Sequence, residues 1–224
     1  MKGEYIYVEH PRDYSSRINT LHRVYFDIAE EEYVRCIDAE IKASSIADEY
    51  DKSKLTSSAS AHAIKAIVFA SLCVESAIND YAGTQLGDRY SEKHLASLDV
   101  VSKWVVIPNL VCGRSIDKSG PAFNALTKLV KARNKLVHNK SKEFDPTAPH
   151  LAESLEKNKI NFKNDFENSL KALYLLCMEM DFVVGQLHNP IKTLDSAFSP
   201  CLEIPEQVKD MFNNCKSIVL KQYS

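Results

Sequence analysis

"LVKARNKLVHNKSK", residues 129–142, reads as the end of an amphipathic helix in which an arginine takes the place expected of a leucine. Going back along the chain, Phe123, Leu126, Leu129 and Val130 form an apolar stripe, and Leu136 and Val137 resume it. At a spacing of three to four residues, the position between them falls on Arg133. A histidine, His138, follows five residues later.

The same spacing organises the sequence on either side. The helix that carries Arg133 is predicted from about Pro121 to His138, after the loop "RSIDKSGP" (114–121) and before the proline-bearing loop "EFDPTAPH" (143–150). Upstream, "AIKAIVFASLCVESAINDYAG" (63–83) is apolar nearly all round, which predicts a central helix over about 59–82. Gly83, Gly87 and the cap candidate Ser91 predict a turn after it, and residues 94–113 a shorter helix stopped near Pro108. A long first helix is expected from Tyr14 to about Asp51, with Ile18, Leu21, Val24, Tyr25, Ile28, Tyr33 and Val34 as its stripe. Its acidic run "AEEEY" (29–33) reads as a solvated face, and "LTSSASAH" (55–62) as a break with an N-cap. Residues 1–13 read as an extended arm, a further long helix covers about 160–187, and a short one about 205–221.

These elements predict an all-α protein. Glycine (6) and proline (8) are few among 224 residues, and a 45% hydrophobic, 26% charged composition is that of a globular chain with a sizeable core. One domain over 1–224 is expected, with 1–57 as an N-terminal arm and long helix, and 188–224 as a C-terminal extension. A net charge of −2 removes any global basic field, so contact with nucleic acid must be local. The six cysteines show no C-x-x-C pairing, and Cys73 and Cys177 fall inside apolar runs as small hydrophobes. Neither a leader nor an unbroken apolar run of about 18 residues is evident, so no membrane partner and a cytoplasmic location are expected.

The local exception to the charge balance is the stretch around Arg133. Lys128, Lys131, Lys135, Lys140 and Lys142 join Arg133 and His138 there without an acid among them. Such a patch suits RNA phosphates, because each cation neutralises a phosphate and releases its counterion. Asn134 and His138 stand four apart, on one face of a helix, and the long Arg133 side chain leans toward them from one position round. An imidazole exchanges protons near neutrality, and a guanidinium presents a planar fork to phosphate oxygens. Together they meet the needs of attack by a ribose 2′-hydroxyl on the neighbouring phosphate: one group moves protons, and another stabilises the charge on five-coordinate phosphorus. That chemistry needs no metal and no cofactor.

"KLVKARNKLVH" (128–138) resembles the signature of the HEPN superfamily, an arginine, a polar residue, three more residues and a histidine near a helix end. Arg133, Asn134 and His138 match those positions. "FASLCVESAINDYAG" (69–83) and "VSKWVVIPNLVCG" (101–113) are similar to the preceding helices of bacterial members, so the resemblance spans about 60–180. It implies an antiparallel helical bundle, here with an added long N-terminal helix and a short C-terminal one, that dimerises with two motifs facing a shared cleft. It also implies a metal-independent endoribonuclease, a toxin or anti-phage effector acting on tRNA or mRNA, with a cognate antitoxin or regulatory protein as a further partner. Other members are non-catalytic modules that bind nucleotide or RNA, or mediate assembly. Members silenced by nucleotidyl transfer carry a tyrosine where this chain has Lys140, so that control is not expected. Glu75, the one acid between His62 and Asn79, is the expected partner of Arg133, holding its fork from within the bundle. His62 and His188 read as ordinary surface or helix-end residues, and Trp104 as core packing.

Overall fold

The computed structural model describes residues 5–12, 17–141, 143, 150–199 and 203–224, so that Lys142 lies outside the described residues. Among the described residues seven α-helices follow one another: α1 His22–Ser45, α2 Glu49–Leu86, α3 Asp88–His94, α4 Val100–Cys112, α5 Pro121–Val137, α6 Leu151–Val183 and α7 Lys209–Gln222. Helix accounts for 74% of the described residues, and no strand occurs among them. The fold is all-α, as the composition and spacing predict.

α1 and α2 form an antiparallel hairpin whose link is residues 46–48. The break therefore lies earlier than "LTSSASAH", and α2 starts about ten residues sooner than expected. The physical reason is local. Asp48 caps α2 by accepting from the Asp51 amide at 2.9 Å, while Thr56 and Ser60 donate back to the Lys52 and Thr56 carbonyls at 2.9 and 3.0 Å. Hydroxyls bonded in that way sit inside a helix and do not interrupt it. α1 in turn begins at His22, and its buried line is Phe26, Ala29, Tyr33, Cys36, Ala39 and Ala43. Ile18, Leu21 and Val24, expected on that stripe, are exposed.

The acidic run is not wholly a solvated face either. Glu32 is buried, 2.6 Å from His62 Nδ1, 3.3 Å from Lys65 Nζ and 3.0 Å from Arg35 Nη1. Burial works to raise its carboxyl, but the bonds from His62 and Lys65 outweigh that and hold it below the ordinary value. His62 thus pins α1 to α2 and is more than a surface residue.

α2 is the central helix, with α1, α3, α4, α5 and α6 all packed on it. Ile67, Ala70, Cys73, Val74, Ala77 and Ile78 along its length are fully buried. By length and composition alone α2 is long and apolar enough to cross a membrane, although Lys65 and Glu75 interrupt its apolar run. Half of that apolar window is covered by neighbouring helices of this chain, as in the core helix of a bundle. α4 runs through Pro108 to Cys112 and stops at Gly113, whose φ of 71° is left-handed. Trp104, one turn before the proline, is fully buried and donates to the Val74 carbonyl at 3.1 Å. This bond fastens α4 to α2 where the proline withholds a backbone donor.

α6 packs against α5, with Asn168 donating to the Ala125 carbonyl at 2.9 Å and Lys135 lying 3.1 Å from Asp165. It starts about nine residues earlier than the sequence predicts, and residues 152–161 are all exposed. Beyond α6 the chain turns at Gly185 (φ 78°), where an added Cβ would lie 2.6 Å from the Ile6 carbonyl oxygen. The N-terminal arm is laid down there: the Ile6 amide donates to Gln186 at 2.8 Å, and His10 donates to or accepts from Tyr81 OH at 2.7 Å. His188 stacks on His10 with ring centroids 3.8 Å apart, so it too has a place in the arm's seat.

Asp181 sits fully buried under the segment that follows, accepting from Asn189 Nδ2 at 2.7 Å and Thr193 Oγ1 at 2.8 Å. Burial raises its carboxyl to about 7, against those two hydrogen bonds, with Asp195 adding to the rise. Between its ordinary value of 3.8 and about 7, the folded protein therefore holds a proton that the unfolded chain has released. The contribution to stability is full below that window and is lost as pH rises through about 7. Asp181→Asn, fixed in the neutral form, is expected to gain stability relative to the wild type as pH is raised from about 5 to about 8. Urea unfolding at a series of pH values checks this; parallel pH profiles for the two proteins would contradict it.

Candidate functional site

α5 is built to hold one face inward and display the other. Pro121 opens it at a position where a missing amide costs nothing, and Ala122, Ala125, Leu126, Leu129 and Ala132 are buried. Leu126 and Leu129 are fully covered, each worth about 1.5–3 kcal/mol of apolar burial. Phe123, Val130 and Leu136 are partly covered, whereas Val137, expected on the stripe, is 55% exposed. Lys128, Lys131 and Lys135 are exposed and fall within about 60° of one another at 100° per residue, on the far side from Leu129.

Arg133 continues the line of Leu126, Leu129 and Val130 toward α2. Its Nη2 lies 3.3 Å from Glu75 Oε2, and its Nη1 donates to Asn134 Oδ1 at 3.1 Å. The guanidinium is thus held at two edges, by an acid on another helix and by its own neighbour. The pair is not sealed, however: the side chains of Arg133 and Glu75 remain 26% and 37% exposed. Glu75 therefore stands at the edge of the bundle and not in its buried centre. A half-open ion pair is screened by water and orients a fork more than it stabilises a fold.

His138 is the C-cap of α5, with φ −104° and its amide bonded to the Asn134 carbonyl at 3.0 Å. Its side chain is exposed, and among the described residues no hydrogen bond ties the ring to Arg133 or Asn134. Asn134 is exposed too. A positioned guanidinium, an exposed amide and an exposed imidazole thus share the last turn of one helix. Among the described residues that turn is solvent-facing, with Asn134, Lys135, Val137 and His138 all exposed. Lys140 is exposed beside it, and Lys135 spends its charge partly on Asp165. The Lys135–Asp165 pair has no signal in the sequence, because the two lie thirty residues apart on different helices. Among the described residues no group of three His, Cys, Asp or Glu side chains is placed to hold a metal ion.

Comparison of the chain with protein-family models, with curated proteins and with solved structures finds no match. The reading of this surface rests on its own residues.

The geometry fixes how much the Arg133–Glu75 contact contributes to the fold. A double-mutant cycle of Arg133→Ala and Glu75→Ala, followed by urea unfolding, is expected to give a coupling of roughly 0.2–1 kcal/mol. That is well below the roughly 3–5 kcal/mol lost on removing one member of a sealed pair. A coupling in that upper range would mean that a neighbour, such as a second subunit, covers the pair in solution.

Proposed function

We propose that this protein is a HEPN-type, metal-independent endoribonuclease of the cytoplasm that works as a homodimer. The single observation that carries the reading is the bridging of the Arg133 guanidinium between Glu75 and Asn134, one turn from an exposed His138. Held in that way, the fork keeps one direction as charge develops on a scissile phosphate, and preorganised donors of this kind are the larger share of such catalysis. His138 takes the proton from the 2′-hydroxyl or returns one to the departing 5′-oxygen. Lys128, Lys131 and Lys140 carry the flanking phosphates, and Asn134 positions the ribose or the guanidinium.

One chain supplies one histidine, while the two ends of the reacting phosphodiester call for an acid and a base. A second copy across a two-fold axis completes the set. The exposed apolar side chains near this end of the bundle favour such a partner. Val137 is 55% exposed, and Leu155 and Ile160 on the outer turns of α6 are 58% and 52% exposed. The same surface serves a non-catalytic assembly module, and the cleavage assay separates the two readings.

Incubated with total RNA in the presence of EDTA, the protein is expected to leave 2′,3′-cyclic phosphate and 5′-hydroxyl ends, and to spare DNA of the same sequence. Light scattering is expected to give twice the 25.3 kDa monomer. Ends carrying 5′-phosphate, or activity abolished by the chelator, would contradict the mechanism. A dimer without cleavage would point to the assembly module.

A further inference from the structure

On the opposite side of α2 from Glu75, a cavity of about 400 Å³ opens where three distant segments meet. Arg12, Arg17, Thr20, His22 and Arg23 come from the N-terminal arm and the start of α1; Asp80, Tyr81, Thr84 and Gln85 come from α2; Leu187 to Pro190 come from the segment after α6. Thr84 lies nine residues beyond Glu75, about half a turn round the helix, so this is a different face of the molecule from the α5 surface. The size falls in the ~300–1,000 Å³ range of small-molecule pockets.

Among the described residues the cationic side chains of this cavity outnumber its carboxylates. Asp80, the carboxylate among its described lining residues, is taken up by His22 at 3.0 Å and by Arg17 at 3.8 Å, and Arg17 also reaches Asp88 at 2.9 Å. Arg12 and Arg23 pair with no carboxylate among the described residues. Arg12 is nevertheless held in place. Its amide donates to Gln85 Oε1 and its carbonyl accepts from Gln85 Nε2, both at 3.2 Å, while Nη1 donates to the Thr84 carbonyl at 3.2 Å. Gln85, which fixes that backbone, is itself buried. A guanidinium anchored through its main chain, with one side-chain hydrogen bond among the described residues, is a preorganised anion donor. A second guanidinium, that of Arg23, lining the same concavity concentrates positive potential in a protein whose net charge is −2.

We propose that this cavity binds the terminal phosphate of a small phosphorylated compound of about mononucleotide size. Arg12 and Arg23 grip the phosphate in bidentate fashion, with the Thr84 and Thr20 hydroxyls as added donors. Leu187, 58% exposed, and Pro190 form the apolar wall on which the organic part rests. The arm, α2 and the segment after α6 meet only in the folded chain, so such a ligand also fastens the arm to the bundle. The proposal does not depend on the α5 surface being catalytic.

Isothermal titration of the full chain with 5′-AMP, and with adenosine as the phosphate-free control, tests it. Saturable binding of 5′-AMP at about 1 mM or tighter is expected, with adenosine inert. Arg12→Gln and Arg23→Gln are each expected to weaken it about tenfold, the loss of one charge-assisted contact. Lys128→Gln with Lys131→Gln on α5 is expected to leave it unchanged. Thermal melting accompanies each variant; should Arg12→Gln unfold the arm, Arg23→Gln, an exposed side chain, decides by itself. No saturable binding, equal binding of adenosine, or affinity that survives Arg23→Gln and falls with the α5 lysines would each overturn the proposal.

Discussion

The pairing of α1 with α2 is the constraint on which the rest of the structure depends. The two helices run in opposite senses through a series of matched contacts: His22 with Asp80, Tyr25 with Phe69, Glu32 with His62 and Lys65. Between and beyond those contacts many of the buried side chains are small, Ala29, Cys36, Ala39 and Ala43 on α1 and Ala59, Ala63, Ala66 and Ala70 on α2. Small residues allow close approach of the helix axes and leave few ways to slide. Such a rigid hairpin gives α2 a fixed position, against which α4, α5 and α6 then pack. Where Glu75 stands, and therefore where the Arg133 fork is held, follows from that position.

The motif helix was legible in the sequence to within a residue or two. Pro121 at its start, the three-to-four spacing of Leu126 and Leu129, and the cationic end all act within one segment, and Pro121–Val137 is the result. The contact of Arg133 with Glu75 was legible for a related reason, since an arginine on an apolar line and a lone acid on an apolar helix have few other partners. What escaped was of two kinds. Serine and threonine in "LTSSASAH" resemble a break, but with their hydroxyls bonded to the preceding turn they continue the helix, and the true link at 46–48 carries a weaker signal. Degree of burial escaped as well. Periodicity says which way Arg133 and Val137 point but not how far the neighbouring helices extend, and near the end of α5 the cover is thin.

The Arg12 and Arg23 cavity had no signature at all. Its walls come from segments up to 178 residues apart, Arg12 to Pro190, brought together by the seating of the arm against Gln186 and Tyr81. The Lys135–Asp165 pair is of the same kind. Chemistry written within one helix can be read before folding, whereas chemistry assembled between helices appears only with the packing. The α5 surface has both: its catalytic candidates lie within six residues, and the acid that aims them comes from α2.

In the proposed reaction Arg133 and His138 divide the work on a phosphodiester, one holding charge and the other moving protons. Cleavage of RNA measured beside thermal melting, for His138→Ala and Arg133→Lys, tests it most directly. His138 is exposed at the helix end, so its loss is expected to abolish cleavage and shift stability by no more than about 0.5 kcal/mol. Arg133→Lys keeps the charge near Glu75 and is expected to melt close to the wild type while losing most of its activity, since an ammonium has no planar fork. Full cleavage by His138→Ala, in a protein that melts as the wild type does, would contradict the account.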